Sequence, residues 1–207
     1  SHDYADHLAW WLGQWPKDRP LLLAMQTHST SVAGGVQTAT PGSATVLRYP
    51  YASEIALYTL IALGRGVKGL FWFTYSSINT WYGWSHPSRA DVRAAIIAMG
   101  QRLATPGIKE ALRRSQWSPL DQPFTLSGGG EPTNSYASGF LSALHDPVTG
   151  EYTLIVGNYG LGAQSVTVSS ATLSGSLQDL ETGTTTPLGG AITLPRLNGG
   201  IYRFVPA

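Results

Sequence analysis

Length, composition and charge describe a globular chain with no bias toward nucleic acid or lipid. The 207 residues are 43% hydrophobic, and 13 Lys and Arg against 12 Asp and Glu leave a net charge of +1, so we expect one large or two small domains. No dense basic cluster and no apolar run of about 18 residues is present, which argues against nucleic-acid and membrane partners. The absence of cysteine excludes disulfides, thiolate metal sites and cysteine nucleophiles.

The chain opens with a short helix and a buried strand. Apolar residues at helical spacing predict a helix over Asp6–Gln14. The continuous apolar run Leu21–Gln26 is typical of a strand covered on both faces. Thr27–Pro50 is rich in Gly, Pro, Ser and Thr and predicts a long loop, and loops of that length are often functional.

A helix and a second strand follow that loop. Ser53 suits the N-cap of a helix that continues to Leu63 and ends at Gly64-Arg65-Gly66. The next apolar run, Gly69–Tyr75, predicts a strand. Strand, helix and strand form a parallel βαβ unit, which belongs either to a doubly wound sheet or to a (β/α)8 barrel.

An aromatic loop leads from this strand into another helix. Ser76–Ser88 contains Trp81, Tyr82 and Trp84, and apolar spacing then predicts a helix over Arg89–Leu103. This is a second step from strand to helix.

The pattern changes after Ser118-Pro119 to short β-type segments separated by turn residues. We place a domain boundary at about 118–123, which divides the chain into domains 1–117 and 118–207. An antiparallel β-sandwich is expected for the second domain. Its predicted strands are Ser138–His145, Glu151–Asn158, Gln164–Ser169, Leu173–Asp179, Ala191–Leu194 and Gly200–Val205.

The aromatic content suits a carbohydrate ligand. Seven Trp and 10 Tyr accompany only 12% charged residues, and the apolar face of a sugar ring stacks on indole or phenol.

The order of these segments resembles the closing portion of (β/α)8-barrel glycoside hydrolases. The blocks that carry the resemblance are Lys17–Gln26, Ser53–Tyr58 and Gly66–Tyr75, and Gln178–Gly183 matches a hairpin that recurs in the C-terminal accessory domains of such enzymes. The resemblance implies an α/β part followed by an all-β part: the last βα units of a (β/α)8 (TIM) barrel plus an antiparallel β-sandwich. Leu21–Gln26 would be strand seven and Gly69–Tyr75 strand eight.

Such a barrel places its active site at the carboxyl ends of its strands. The implied sugar-binding residues are Gln26, His28, Trp72, Tyr75, Trp81, Tyr82 and Trp84. His28 is about equally suited to stabilising its loop, and Trp72 to a place in the core.

Carboxylates are scarce near these positions. Glycosidase chemistry commonly needs two of them, and many barrel glycosidases end strand seven with Glu, where this chain has Gln26. Glu54 is a weak catalytic candidate, because an acidic residue in a first helical turn also complements the helix dipole. The catalytic acid and base are therefore expected mainly upstream of residue 1. The five scattered His residues give no zinc motif, and no cofactor or metal is expected.

Two functions follow as hypotheses. In the first, the chain is the C-terminal part of a secreted or cell-associated glycoside hydrolase that acts on a poly- or oligosaccharide, with the N-terminal remainder of the barrel supplied as a second polypeptide. In the second, it belongs to a noncatalytic carbohydrate-binding or structural protein with a degenerate barrel. A self-contained α/β unit is a third possibility, and it would require oligomerisation or strand exchange to cover its sheet edges.

Overall fold

The computed structural model describes residues 22–26, 52–73, 87, 90–129 and 139–207. Their fold is mixed helix and antiparallel sheet, with strands predominating. The helices are α1 (Ala52–Gly64), α2 (Ala90–Ala104) and α3 (Pro106–Arg114). The strands are β1 (Leu22–Gln26), β2 (Gly69–Phe73), β3 (Gln116–Trp117), β4 (Thr125–Gly128), β5 (Gly139–His145), β6 (Tyr152–Asn158), β7 (Gln164–Ser169), β8 (Gly175–Asp179), β9 (Thr185–Pro187), β10 (Ala191–Leu194) and β11 (Gly199–Pro206).

These strands form three sheets. β1 and β2 are a parallel pair, which confirms the predicted parallel βαβ unit. The other two sheets have the orders β3-β5-β6-β11-β8-β9 and β10-β7-β4. Every strand pair within them is antiparallel, as expected for the second half of the chain.

The six-stranded sheet is covered on both faces. Successive side chains of a strand point to opposite faces, and in β6 Leu154 and Val156 join the core between the two antiparallel sheets. Ile155 points the other way, into a core that it shares with Leu57, Leu60 and Ile61 of α1. Helix α1 therefore packs directly on the six-stranded sheet.

The position of α1 explains its composition. Leu70 of β2 packs against the same core as Leu57 and Leu60, so α1 lies between the parallel pair and the six-stranded sheet. A helix enclosed on two sides is apolar almost all round rather than along one stripe. Each buried Leu or Ile contributes about 1.5–3 kcal/mol to folding.

The end of α1 is a Schellman motif, and its start differs from the prediction. The Val67 backbone N–H donates to Ala62 O at 3.1 Å and the Gly66 N–H donates to Leu63 O at 2.9 Å, while Gly66 has a φ of 84°. These are the bonds of a glycine-terminated helix, as the sequence predicted. Ser53 was wrongly predicted as the N-cap, because α1 already includes Ala52.

Helix α3 was not predicted. Thr105 stands at its N-cap and Pro106 at its first turn, where proline suits a helix because the N–H that it lacks has no intrahelical partner there. Ile108 and Ala111 anchor α3 by burial. Lys68 Nζ donates to Leu112 O at 2.8 Å and also to Ser115 O, and burial lowers the pKa of Lys68.

The predicted β-segments agree with the observed strands to within one or two residues at most ends. β3, β4 and β9 were missed. They are two, four and three residues long, too short for alternation to be visible in the sequence.

Arg102, near the end of α2, connects that helix to the six-stranded sheet. Its Nη2 donates to Glu181 Oε2 at 2.5 Å and to Gly199 O at 2.7 Å, and its Nη1 donates to Asn198 Oδ1 at 3.1 Å. Glu181 lies in the predicted turn between β8 and β9. We call these contacts the Arg102 clamp.

No helix in the described ranges is both long and apolar enough to span a bilayer.

Candidate functional site

The candidate site lies at the carboxyl ends of β1 and β2. The register pairs Leu22 with Gly69 and Gln26 with Phe73, so the strands start and finish together. Parallel strands in register bring whatever follows them to one edge of the sheet. We call this the strand-end edge.

Glu54 lies at the same end of the helical layer. A helix that connects two parallel strands runs back in the opposite direction, so the start of α1 lies near the strand ends. The packing agrees, because Trp72, one residue before the end of β2, contacts the core cluster that contains Ile55. Glu54 is the acidic residue in the first turn of α1, and its half-buried carboxylate complements the positive end of that helix.

Trp72 points toward the helices. Its partly buried indole packs against the cluster formed by Ile55, Val92, Ile96 and Met99. This contact favours the core role that the sequence left open for Trp72 beside sugar stacking.

Phe71 is the aromatic residue that sequence reasoning missed. Strand alternation places it on the face of β2 opposite Trp72, and its side chain is 60% exposed. Leu22 of β1 is 54% exposed. Parallel sheets are normally covered on both faces, so the face that carries Phe71 lacks cover from the described part of the chain. An unbroken apolar run such as Gly69–Phe73 does not show which face its residues occupy.

The other predicted site residues are Gln26, His28, Tyr75, Trp81, Tyr82 and Trp84. Gln26 is described as part of the β1 backbone, where it pairs with Phe73. His28, Tyr75, Trp81, Tyr82 and Trp84 lie outside the described residues.

A second cluster of titratable groups lies at the end of β5 and the start of β6. Asp121 accepts hydrogen bonds from Tyr152 Oη at 2.6 Å and lies 2.9 Å from His145 Nδ1. The His145 ring stacks on Tyr152 with centroids 4.6 Å apart. Burial, together with the Asp121 carboxylate, raises the pKa of Tyr152 to about 12. The cluster fastens the segment around Asp121 to the sheet.

In the described ranges, no group of three His, Cys, Asp or Glu residues is arranged to hold a metal ion.

Comparison with known proteins gives partial similarities to solved structures. No protein-family model matches the chain, and no curated protein matches it. A noncanonic maltogenic α-amylase from Thermotoga neapolitana is 10% identical over 99% of this chain and 46% of its own, with a TM-score of 0.44. An Anoxybacillus α-amylase is 17% identical over 75% of this chain and 33% of its own, with a TM-score of 0.42.

An exo-carrageenase of family GH42 from Bacteroides ovatus is 10% identical over 67% of this chain and 15% of its own, with a TM-score of 0.34. The chain thus spans less than half the length of each of these structures, and only about a tenth of the β-galactosidases that it also matches. The structural neighbours of this chain are glycoside hydrolases, each matched in part and at low identity.

Proposed function

We propose that the chain is the C-terminal part of a glycoside hydrolase that acts on a poly- or oligosaccharide. The observation that carries the proposal is the in-register parallel pair of β1 and β2, whose carboxyl ends precede the polar and aromatic segments that begin at Thr27 and Thr74. Segments 1–117 and 118–207 are then the end of a (β/α)8 barrel and a β-sandwich that packs on α1.

The strand-end edge holds the sugar in this proposal. Gln26 ends β1 and His28 follows it in the sequence, while Tyr75 and the Trp81–Trp84 segment follow β2. Amide, imidazole and phenol groups bind sugar hydroxyls, and indole rings stack on the apolar face of the sugar.

Hydrolysis would use two carboxyl groups from outside this chain. One protonates the leaving glycosidic oxygen, while the other attacks the anomeric carbon or activates water. Glu54, at the start of α1, orients a sugar hydroxyl or a catalytic partner at the strand-end edge. It does not act as the general acid.

The exposed face of the parallel pair supports a second polypeptide as the source of those carboxylates. Two strands alone do not make a stable parallel sheet, and Leu22 and Phe71 are more than half exposed. The N-terminal remainder of the barrel would extend the sheet and cover these side chains. Native mass spectrometry of the purified protein tests this directly, because a lone 207-residue chain would refute the two-polypeptide arrangement.

Sugar binding is tested by affinity electrophoresis through gels that contain starch, galactan or carrageenan. We expect retardation by at least one polymer, and roughly tenfold weaker binding when Trp81 and Trp84 are both replaced by Ala. Leu120→Ala is the control. This side chain lies between β3 and β4 and is 96% exposed, so its loss should not disturb the fold. Equal retardation of the double variant and the wild type would remove the aromatic loop from the site.

Catalysis is tested by release of reducing ends from the retarding polymer, using the chain with any polypeptide that copurifies. We expect hydrolysis that Glu54→Gln largely preserves. A loss of about 10²–10⁴-fold in that variant would instead assign Glu54 as a general acid or base.

A noncatalytic carbohydrate-binding role is the second candidate. It is favoured by the strand ends themselves, since β1 ends in Gln26 and β2 in Phe73 and neither described strand contains a carboxylate. Polymer binding without any release of reducing ends from the intact assembly would select this role.

A further inference from the structure

Asn198-Gly199 is the Asn-Gly dipeptide of this sequence, and it lies at the start of β11 against Arg102. In such a pair the glycine nitrogen can attack the side-chain carbonyl carbon of the asparagine, because glycine has no Cβ to hinder the approach. The glycine nitrogen gives its proton to hydroxide as it attacks, a new N–C bond closes a five-membered imide, and the bond from the carbonyl carbon to the side-chain nitrogen breaks. That nitrogen takes a proton from water and leaves as ammonia, and water then opens the ring to aspartate or isoaspartate. We propose that Asn198 deamidates spontaneously in the folded protein, assisted by Arg102, which then binds the new carboxylate.

The glycine amide and the asparagine side chain are already hydrogen-bonded to each other. The Gly199 N–H donates to Asn198 Oδ1 at 2.8 Å, and Arg102 Nη1 donates to the same oxygen at 3.1 Å. Negative charge develops on this oxygen as the nitrogen attacks, so a cation placed there stabilises the transition state. The Arg102 side chain is only 13% exposed, and water therefore screens its charge weakly.

Close packing against β6 requires glycine at position 199, so the reactive Asn-Gly pair cannot be removed by replacing the glycine. A Cβ at position 199 would lie 2.1 Å from Val156 O and 2.8 Å from the Gly157 Cα, so no other residue fits beside β6. The Asn198 carbonyl oxygen accepts the Asn158 N–H at 2.7 Å, which fixes the backbone at the start of β11. The fold thus needs glycine directly after a residue that binds Arg102.

The two products differ in their effect on the Arg102 clamp. Aspartate at 198 adds a second carboxylate to Arg102, beside Glu181 at 2.5 Å, and hydrogen bonds between charged groups are the stronger ones. Isoaspartate adds a backbone atom between positions 198 and 199 and displaces the carbonyl that Asn158 uses. Aspartate therefore keeps the clamp closed, whereas isoaspartate loosens it.

The test is peptide mapping by mass spectrometry after the native protein is held at mildly alkaline pH. Asn198 should convert from amide to acid, while Asn158, which precedes Tyr159, should not. Conversion of Asn198 in the urea-unfolded chain but not in the native protein would overturn the proposal.

Matched arginine variants test the assistance. Arg102→Gln should convert roughly tenfold more slowly, since one of the groups that stabilise the developing oxyanion is lost, and Arg113→Gln should match the wild type. An equal or faster rate in folded Arg102→Gln would refute a role for Arg102. If circular dichroism shows that variant to be unfolded, Glu181→Gln replaces it. This change removes the carboxylate that competes for the charge of Arg102, so it should speed conversion, and an unchanged or slower rate would refute the role.

The product contact is tested separately with Asn198→Asp. Its unfolding midpoint in urea should equal or exceed that of the wild type, and a lower midpoint would refute the pairing of the new carboxylate with Arg102.

Discussion

Gly64→Ala is expected to destabilise the protein by forcing α1 away from β5. Gly64 is the last residue of α1. A Cβ built there would lie 2.7 Å from Phe140 Cζ, 2.8 Å from Phe140 Cε1 and 3.2 Å from Ser142 Cβ. Carbon atoms in good contact lie about 3.5–4.0 Å apart, so the ring or the helix would have to move by about 1 Å.

The ring has little room to move. Phe140 is 4% exposed, with the Arg65 guanidinium 5.1 Å from its centroid on one side and Tyr159 6.4 Å away. Overpacking at such a site costs about 1–3 kcal/mol. Alanine recovers at most about 1 kcal/mol as the better helix former, and less at a helix end. The net loss should therefore be about 1–2 kcal/mol of unfolding free energy.

Gly100→Ala is the matched control, because the same substitution in α2 meets nothing within 4 Å. It should stabilise the protein by about 0.5–1 kcal/mol. Urea unfolding followed by tryptophan fluorescence gives both values, and an unchanged m-value shows that only stability has shifted. If Gly64→Ala is as stable as Gly100→Ala, α1 does not approach β5 as closely as described. The packing of α1 on the six-stranded sheet would then be refuted.

Three further outcomes are expected. Arg102→Ala should lower the unfolding free energy by about 1.5–3 kcal/mol because it removes the charged hydrogen bonds to Glu181, Asn198 and Gly199. Arg113→Ala breaks an exposed ion pair and should change the unfolding free energy by no more than about 0.5 kcal/mol; equal losses would show that the Arg102 clamp does not stabilise the fold. The Val148 N–H, 2.9 Å from Asp146 Oδ1, holds the pKa of Asp146 below its usual value. Its stabilising effect is therefore present above the unfolded pKa of about 4 and is lost as the pH falls through the folded pKa, so urea unfolding across acidic pH should be less pH-dependent in Asp146→Asn, and an unchanged profile would contradict the shift. Segment 118–207 expressed alone should bind the dye ANS and aggregate, because the helix-facing side of its sheet is uncovered; a soluble monomer that does not bind the dye would show that this face needs no helix.

Periodicity and glycine placement were sufficient to predict the parallel unit and most of the long strands. The apolar run before Gln26, the glycines after Leu63 and the alternation in β6 each have a local cause, so the sequence predicts them without tertiary information. Helix α3 escaped prediction because Pro106-Gly107 resembles a break between elements. The burial of Ile108 in the core between α1 and the sheet stabilises the helix that starts there.

The sequence was sufficient to predict that the two strand ends lie side by side, but not which face their side chains occupy. Chain order places Gln26 and the end of β2 at one edge, as the register confirms. Chain order does not show that Trp72 faces the helices. Every residue from Leu70 to Phe73 is apolar, so no polar residue marks which face of the strand is turned away from the core. The contact of Arg102 with Glu181 joins residues 79 positions apart, and no local pattern reports a pairing over that distance.

The central place of β11 has a consequence for how the chain is made. β11 is the last strand in this sequence, yet it lies between β6 and β8, and its Ile201 completes the core on α1. The residues of α1 are synthesised more than a hundred positions before Ile201, so they cannot complete this core until β11 has been made. Contacts of such long sequence separation form slowly. Until β11 leaves the ribosome, the apolar surface of α1 has no complete sheet to cover it. The nascent chain is thus a natural client for chaperones that bind exposed hydrophobic segments.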